Sequence, residues 1–168
     1  METNPRRTFL KLAGVTTTTL LVPQFFRAQS TKPALPKADP LSADLVKQFV
    51  IFGHGNLEGT KQMLQEHPTL LNACWDWGNG DFETALGGAS HVGNRECAEW
   101  LISQGARMDI FAAAMLGKLE LVKSFITTYP ANAQCVGPHG ISLLKHALKG
   151  GEMASPVVEY LKSLGIKE

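Results

Sequence analysis

Residues 110–129 read IFAAAMLGKLELVKSFITTY, and this stretch contains the pattern on which the rest of the chain is built. It begins with a short run of small and apolar residues, and Gly117 then interrupts that run. In the second run Val122 and Phe125 are three positions apart, which places them on one side of a helix. The stretch therefore predicts a short helix, a glycine turn and a longer amphipathic helix.

The same arrangement recurs along the chain, in segments that end at His67, Gly105, Tyr129 and Gly165. Mostly apolar residues stand four and seven positions before these ends: Met63, Leu101, Phe125 and Leu161, and Thr60, Ala98, Val122 and Val158. Shorter helices are predicted upstream of the last three, at residues 84–92, 110–116 and 142–149. Ser42 is the predicted N-cap of the first helix. The chain is thus expected to alternate short and long helices.

Three stretches resemble the ankyrin repeat, whose period is about 33 residues. They are TALGGASHVGN at 84–94, AAMLGKLELVK at 113–123 and GISLLKHA at 140–147. The resemblance implies an all-α fold over residues 41–168, an ankyrin-type helical-repeat solenoid of about four repeats. An array of helical hairpins of another kind is the alternative. Either way, each helix pair is expected to bury its apolar stripe only against its neighbours.

The N-terminal segment has the character of an export signal. Residues 6–11, RRTFLK, resemble the twin-arginine motif, and a mildly apolar run without acids follows. We expect a signal peptide at 1–30, cut after Ser30, then a proline-rich tether at 31–40 and a periplasmic or secreted protein. A retained membrane anchor is the alternative, although its apolar run is shorter than the roughly 20 residues that a bilayer requires. No stable membrane anchor is expected after cleavage.

The charge of the sequence limits the classes of partner, and its cysteines limit the possible disulfides. The sequence has 16 Lys and Arg against 15 Asp and Glu, so it lacks the basic surface that nucleic acids or anionic lipids require. Three cysteines allow at most one internal disulfide, and whether Cys74 and Cys135 pair is left open. Cys97 and Trp100 are expected in the core. We expect no nucleic-acid partner.

The segments that connect helix pairs, called fingers here as in ankyrin repeats, are unequal in length. The second finger, residues 74–81, reads CWDWGNGD and is enlarged, whereas the third is missing because Asp109 runs almost directly into a helix. The fourth finger is GPHG at 137–140. A missing finger between two present ones predicts a notch whose floor is residues 111–115.

We predict that a partner binds in this notch. Trp75 and Trp77 share a face in extended backbone and are typical binding anchors, unless they simply cover the stack. Among the histidines, His91 and His139 are the better candidates, while His54 and His67 are expected to be ordinary surface or capping residues. The predicted binding residues are Trp75, Asp76, Trp77, Asp81, His91, Phe111, Met115, His139 and His146. His146 is the least favoured of these, because a histidine near a turn is usually without a special role.

The sequence lacks the motifs of common enzymes, including the zinc-protease helix, the serine-hydrolase elbow and the phosphate-binding loop. We therefore expect no catalytic residue, no metal ligand set and no cofactor. The expected function is an exported binding module for a protein partner, such as another exported protein. The alternative is a small-ligand, metal-binding or hydrolytic site in the notch, formed by Asp76, Asp81, His91 and His139.

Overall fold

The computed structural model describes residues 39–167, and most of these residues are helical. Its helices are α1 (Ala43–Gly55), α2 (Leu57–Glu66), α3 (Ala85–Val92), α4 (Arg95–Ser103), α5 (Ile110–Met115), α6 (Leu119–Thr128), α7 (Leu143–Lys149) and α8 (Ser155–Ser163). Two short strands, β1 (Cys74–Asp76) and β2 (Phe82–Thr84), form an antiparallel hairpin. Short 3-10 turns lie at Pro68–Asn72, Pro130–Gln134, Pro138–Gly140 and Gly151–Ala154. The expected all-α class is confirmed at this level.

Polar side chains define where the helices begin. The hydroxyl of Ser42 accepts a hydrogen bond from the backbone N–H of Leu45, which confirms the predicted N-cap. Thr84 caps α3 in the same way, and Asp109 caps α5. Each cap satisfies a backbone donor that the first helical turn would otherwise leave unpaired. Asp109 thus starts α5 immediately after the short connection that follows α4.

The odd-numbered helices pack against one another in chain order. Helix α1 packs on α3, α3 on α5, and α5 on α7, while each also packs on the helix that follows it. The approach of α1 to α3 is close because Gly53 has no side chain: a Cβ there would lie 2.4 Å from the carbonyl oxygen of Ala85. This contact places the last turn of α1 against the start of α3, and the rings of His54 and His91, near the ends of the two helices, lie 4.8 Å apart between centroids.

Two apolar clusters make up the core. The first includes Phe49, Leu70 and Leu101, and the second includes Val122, Leu144 and Leu161. Cys97 is fully buried in the first cluster, as expected. Trp100 only packs against it and is partly exposed, so its expected place in the core is wrong in part.

The three connections between helix pairs differ in structure. The second finger lies in the β1–β2 hairpin, where Trp75 pairs with Glu83. Only residues 104–109 join α4 to α5, and they include no strand. The connection from α6 to α7 contains the Pro138–Gly140 turn and a single bridge between Val136 and Ser142. The second and fourth fingers therefore lie on either side of the short connection at residues 104–109.

The predicted signal peptide at 1–30, and all but two residues of the predicted tether at 31–40, lie outside the described residues. Within residues 39–167, no helix has both the length and the apolar character needed to cross a membrane. All three cysteines are free thiols: Cys97 is buried, whereas Cys74 and Cys135 do not pair.

Candidate metal centre

The β1–β2 hairpin brings Glu83 into the interior. Neighbouring side chains on a strand point to opposite faces, so the exposure of Phe82 places Glu83 on the inner face. Glu83 is 1% exposed and its side chain is fully buried. A buried carboxylate is costly unless polar partners surround it. The partners of Glu83 therefore show what this part of the fold is arranged to hold.

Three histidines from different segments surround this carboxylate. His54 lies in the last turn of α1 and His91 in the last turn of α3, which ends where Gly93 adopts a left-handed conformation. His139 lies in the Pro138–Gly140 turn and has a positive φ of 59°. The ring of His54 fits only because Gly88 has no side chain, since a Cβ there would lie 2.6 Å from the Cε1 atom of His54.

The four side chains form a compact group, called here the histidine–glutamate cluster (His54, Glu83, His91 and His139). The Nε2 atoms of His54 and His139 lie 3.4 Å and 3.5 Å from Oε2 of Glu83. The Nδ1 atom of His91 lies 2.9 Å from Oε1 of Glu83. One potential ligand atom from each residue lies within 4.8 Å of the others.

Two of the histidines, His54 and His139, are held in place by a hydrogen bond at Nδ1. The Nδ1 atom of His54 is 3.0 Å from the carbonyl oxygen of Val50, and Nδ1 of His139 is 2.8 Å from Oδ2 of Asp81. Because a carbonyl or carboxylate only accepts, each Nδ1 must carry a proton and donate it. In the neutral ring, Nε2 then presents a lone pair to Glu83. In metal-binding histidines, the ring nitrogen that does not bind the metal typically donates a hydrogen bond of this kind.

The cluster contains more acceptors than donors. Oε1 of Glu83 and Nδ1 of His91 are buried without a hydrogen-bond partner, although they are close to each other, because they do not have the alignment of a hydrogen bond. The lone pairs of His54 and His139 face Oε2 of Glu83, which already accepts a hydrogen bond of 2.8 Å from the indole N–H of Trp77. A cation at the centre would satisfy these atoms together.

The electrostatics keep the two acidic groups ionised. Burial raises the pKa of Glu83, but the approach of His91, the indole of Trp77 and the charge of His54 outweigh it, so the pKa lies below its ordinary value. Asp81 accepts a hydrogen bond of 2.8 Å from the backbone N–H of His139, and this bond is the largest cause of its lowered pKa. The β1–β2 hairpin thus supplies two carboxylates beside the histidines.

The two tryptophans of the second finger pack beside the cluster: Trp77 contacts Glu83, and Trp75 contacts Trp77. Trp77 contacts the cluster through Glu83 and lies 5.8 Å, between ring centres, from His139. Trp75 packs edge to face on Trp77 and lies below the ammonium group of Lys47. Trp77 is 37% exposed and Trp75 is partly buried. Their contacts within the chain favour a supporting role, although part of Trp77 stays open to solvent.

A cleft of about 410 Å³ lies where the notch was predicted. It extends from the second finger to the fourth, and Asp81, Phe111 and Pro138 are among its lining residues. Asp81 connects the cleft to the cluster through His139. The structure thus brings together five of the predicted residues: Trp77, Asp81, His91, His139 and, at the cleft, Phe111.

Three predicted residues lie elsewhere. Met115 is fully buried in the core. His146 is also fully buried, with Nδ1 2.9 Å from the carbonyl oxygen of Ser142 and its ring against Phe111, and burial lowers its pKa. Asp76 is exposed and accepts a hydrogen bond from the backbone N–H of Gly78. None of the three belongs to the cluster.

Two residues of the cluster were missed. Glu83 could have been found from period-two alternation, because the residues around it form the second strand of the hairpin. His54 was expected to have no special role, and no local pattern distinguishes it from other helix-terminal histidines. Its position depends on the packing of α1 against α3.

No protein-family model, curated protein or solved structure matches this chain. The functional conclusions below therefore depend on the geometry of the site.

Proposed function

We propose that this chain binds a divalent transition-metal ion through the histidine–glutamate cluster. The observation that carries the proposal is the convergence of four ligand atoms within 4.8 Å, from α1, β2, α3 and the Pro138–Gly140 turn. Oε1 of Glu83 and Nδ1 of His91 also support it, because both are buried, lie 2.9 Å apart without the alignment of a hydrogen bond, and have no other hydrogen-bond partner among residues 39–167.

The donor types favour zinc or a neighbouring metal over calcium or magnesium. Imidazole nitrogen suits Zn²⁺, Cu²⁺, Ni²⁺ and iron, whereas Ca²⁺ and Mg²⁺ prefer oxygen. Zn–N and Zn–O bonds of about 2.0–2.2 Å put tetrahedral ligand atoms roughly 3.3 Å apart. Glu83 already lies 2.9–3.5 Å from the three histidines, and the four ligand atoms lie within 4.8 Å of one another, so the side chains would have to move closer together to complete the site.

One side of the cluster is open to solvent. The side chains of His54 and His139 are 27% and 35% exposed, whereas that of Glu83 is fully buried. An ion could therefore enter from the histidine side.

The direct test is zinc titration of the full chain by calorimetry. We expect one equivalent to bind with a dissociation constant of about 1 µM or lower. Glu83→Gln and His91→Asn should each weaken zinc binding more than about 100-fold, since removing a metal ligand should cost more affinity than removing a residue that only positions a ligand. His67→Asn, an exposed histidine outside the cluster, is the matched control. Equal zinc affinity in Glu83→Gln and the native chain would refute the proposal.

We further propose that the domain is an exported, ankyrin-type helical-repeat module that functions by binding. The sequential packing of the odd-numbered helices supports this architecture, and the RRTFLK motif supports export. The metal centre would lie where the second and fourth fingers meet. No reaction is included in this proposal.

A protein partner is the second candidate, and one surface favours it. Leu121, Phe125 and Tyr129 recur every four residues from α6 into the residue after it, and are 46%, 40% and 67% exposed. A row of exposed large apolar residues on one helix face is typical of a binding surface. Phe125→Ser with Tyr129→Ser should abolish capture of any native partner from the exported fraction and leave zinc binding unchanged. Undiminished capture would exclude this surface.

A further inference from the structure

A groove of about 540 Å³ lies beside the cluster, on the outer side of α7. It is called the lysine groove here, and its lining residues are His91, Ile141, Lys145, Leu148 and Lys149. His91 belongs both to this groove and to the histidine–glutamate cluster. A ligand in the groove would therefore contact a side chain that faces the proposed metal.

The charges of the groove are of one sign. Lys145 and Lys149 are four residues apart on α7, which places both ammonium groups on the same side of the helix. Within residues 39–167 neither lysine forms an ion pair, and none of the residues that line the groove is acidic. Two like charges at this spacing repel each other modestly, and an anion between them would relieve the repulsion.

The remaining surface of the groove is apolar. Ile141 and Leu148 line it, and Leu148 is 39% exposed. A small hydrated anion such as phosphate would gain nothing from these side chains. A molecule with a hydrocarbon body would remove them from water and gain in proportion to the apolar area buried. The groove thus combines an apolar wall with paired positive charges, and its volume lies within the usual range for small-molecule sites.

We infer that the lysine groove binds a small monocarboxylic acid with a short hydrocarbon body, which lies next to His91 and to the metal centre proposed above, on which this inference rests. The carboxylate pairs with Lys145 and Lys149, and the hydrocarbon lies on Ile141 and Leu148. Contact with His91 couples this ligand to the metal. A monocarboxylic acid is thus the class of small molecule expected to bind next to the metal centre.

The test uses octanoate as the probe, with 1-octanol as the uncharged control of equal chain length. The full chain is loaded with Co²⁺, whose visible spectrum reports the environment of the metal, and octanoate binding is followed by that spectrum and by calorimetry. We expect octanoate to bind about tenfold more tightly than octanol and to change the spectrum. Lys145→Gln with Lys149→Gln should remove that advantage, because each exposed ion pair contributes modestly. The advantage should also shrink as salt is raised.

A matched control replaces one lysine in each of two other helices, α2 and α6. Lys61→Gln with Lys123→Gln changes the net charge equally but lies outside the groove, so octanoate affinity should be retained. Equal affinity in the Lys145/Lys149 variant, or equal binding of octanol, overturns the inference. So does binding of a capped peptide that alternates leucine and glutamate in place of octanoate. If Co²⁺ binds but octanoate does not, the inference fails and the metal centre stands. If neither Co²⁺ nor zinc binds, the proposed function itself fails.

Discussion

At the scale of single residues, Glu83 decides the chemistry of the site. In the metal-free protein its carboxylate faces the lone pairs of His54 and His139, because each ring donates its Nδ1 proton elsewhere. Two acceptors without a hydrogen between them repel each other. A metal ion between these atoms would relieve the repulsion.

This conflict makes an unusual prediction for Glu83→Gln at pH 8. With the amide oxygen in the place of Oε2, it still accepts from Trp77, and the amide nitrogen in the place of Oε1 can donate to Nδ1 of His91, so the metal-free variant should be as stable as the native chain or about 1 kcal/mol more stable. Its stabilisation by zinc should nevertheless disappear. Urea unfolding with and without zinc measures both effects. A loss of several kcal/mol in the metal-free variant would mean that Glu83 is a structural ion-pair partner instead.

Gly88 tests the position of His54. Gly88→Ala places a Cβ 2.6 Å from the imidazole ring, so the ring must move and zinc affinity should fall about 10-fold to 100-fold. Gly55→Ala is the matched control, because a Cβ at Gly55 meets nothing within 4 Å. Competition against a zinc-binding dye measures both variants. Similar affinities in the two would show that His54 is not a ligand.

His146 should affect stability against pH, separately from the metal. Burial lowers the pKa of His146 in the folded state and the charge of His91 lowers it further, while the hydrogen bond to the carbonyl oxygen of Ser142 and the charges of Asp109 and Glu83 do not reverse this. Neutral His146 therefore stabilises the fold above the unfolded pKa of about 6.5, and that contribution is lost as pH falls through the lowered folded value. With chelator present, His146→Gln should lose less stability than the native chain between about pH 7 and pH 5. Parallel curves would contradict this.

At the scale of elements, the site depends on four segments that meet, each held by its own local chemistry. The hairpin supplies Asp81 and Glu83, the ends of α1 and α3 supply His54 and His91, and the fourth finger supplies His139. The hairpin is joined to the fourth finger by the two hydrogen bonds of Asp81 with His139. Asp81 is thus a positioning residue rather than a ligand.

Asp81→Asn should weaken zinc binding about 10-fold to 100-fold without preventing it, because His139 loses the carboxylate that fixes its tautomer. Asp76→Asn changes the other aspartate of the same hairpin, which has no contact with His139, and serves as the control. The Co²⁺ spectrum separates the two roles: a positioning defect leaves the native band shape at higher metal concentration, while loss of a ligand changes it. An unchanged affinity in Asp81→Asn would contradict the role.

The sequence predicts the elements better than the site. Helices were expected at 84–92, 110–116 and 142–149, and α3, α5 and α7 confirm them to within one residue at each end. This succeeded because periodicity and caps are local. The site depends on which helix ends and strand faces converge. Thus Met115, on the predicted floor, is buried by its packing, and His54 entered the site through a contact with Gly88 that no spacing reveals.

At the scale of the whole molecule, a metal ion would connect segments far apart in the chain. His54 lies in α1, Glu83 lies in β2, and His139 lies between α6 and α7. In a helical-repeat solenoid of the kind proposed above, each helix pair would be stabilised chiefly by its neighbours, so a bond across several pairs should increase cooperativity as well as stability.

Zinc should therefore raise the midpoint of thermal unfolding of the full chain, and a chelator should reverse the change. At 100 times the dissociation constant the gain should be about 2.7 kcal/mol. The rise should depend on zinc concentration. Calorimetry that shows two transitions, only one of them sensitive to zinc, would contradict a stabilisation shared by the whole unit.

The central claim is that His54, Glu83, His91 and His139 bind one metal ion. Anomalous diffraction at the zinc edge, from crystals of the zinc-loaded chain, tests it most directly. We predict a single strong peak about 2.0–2.2 Å from one oxygen of Glu83 and one nitrogen of each histidine. A peak elsewhere, for example at the free thiols Cys74 or Cys135, or no peak near Glu83, would contradict it.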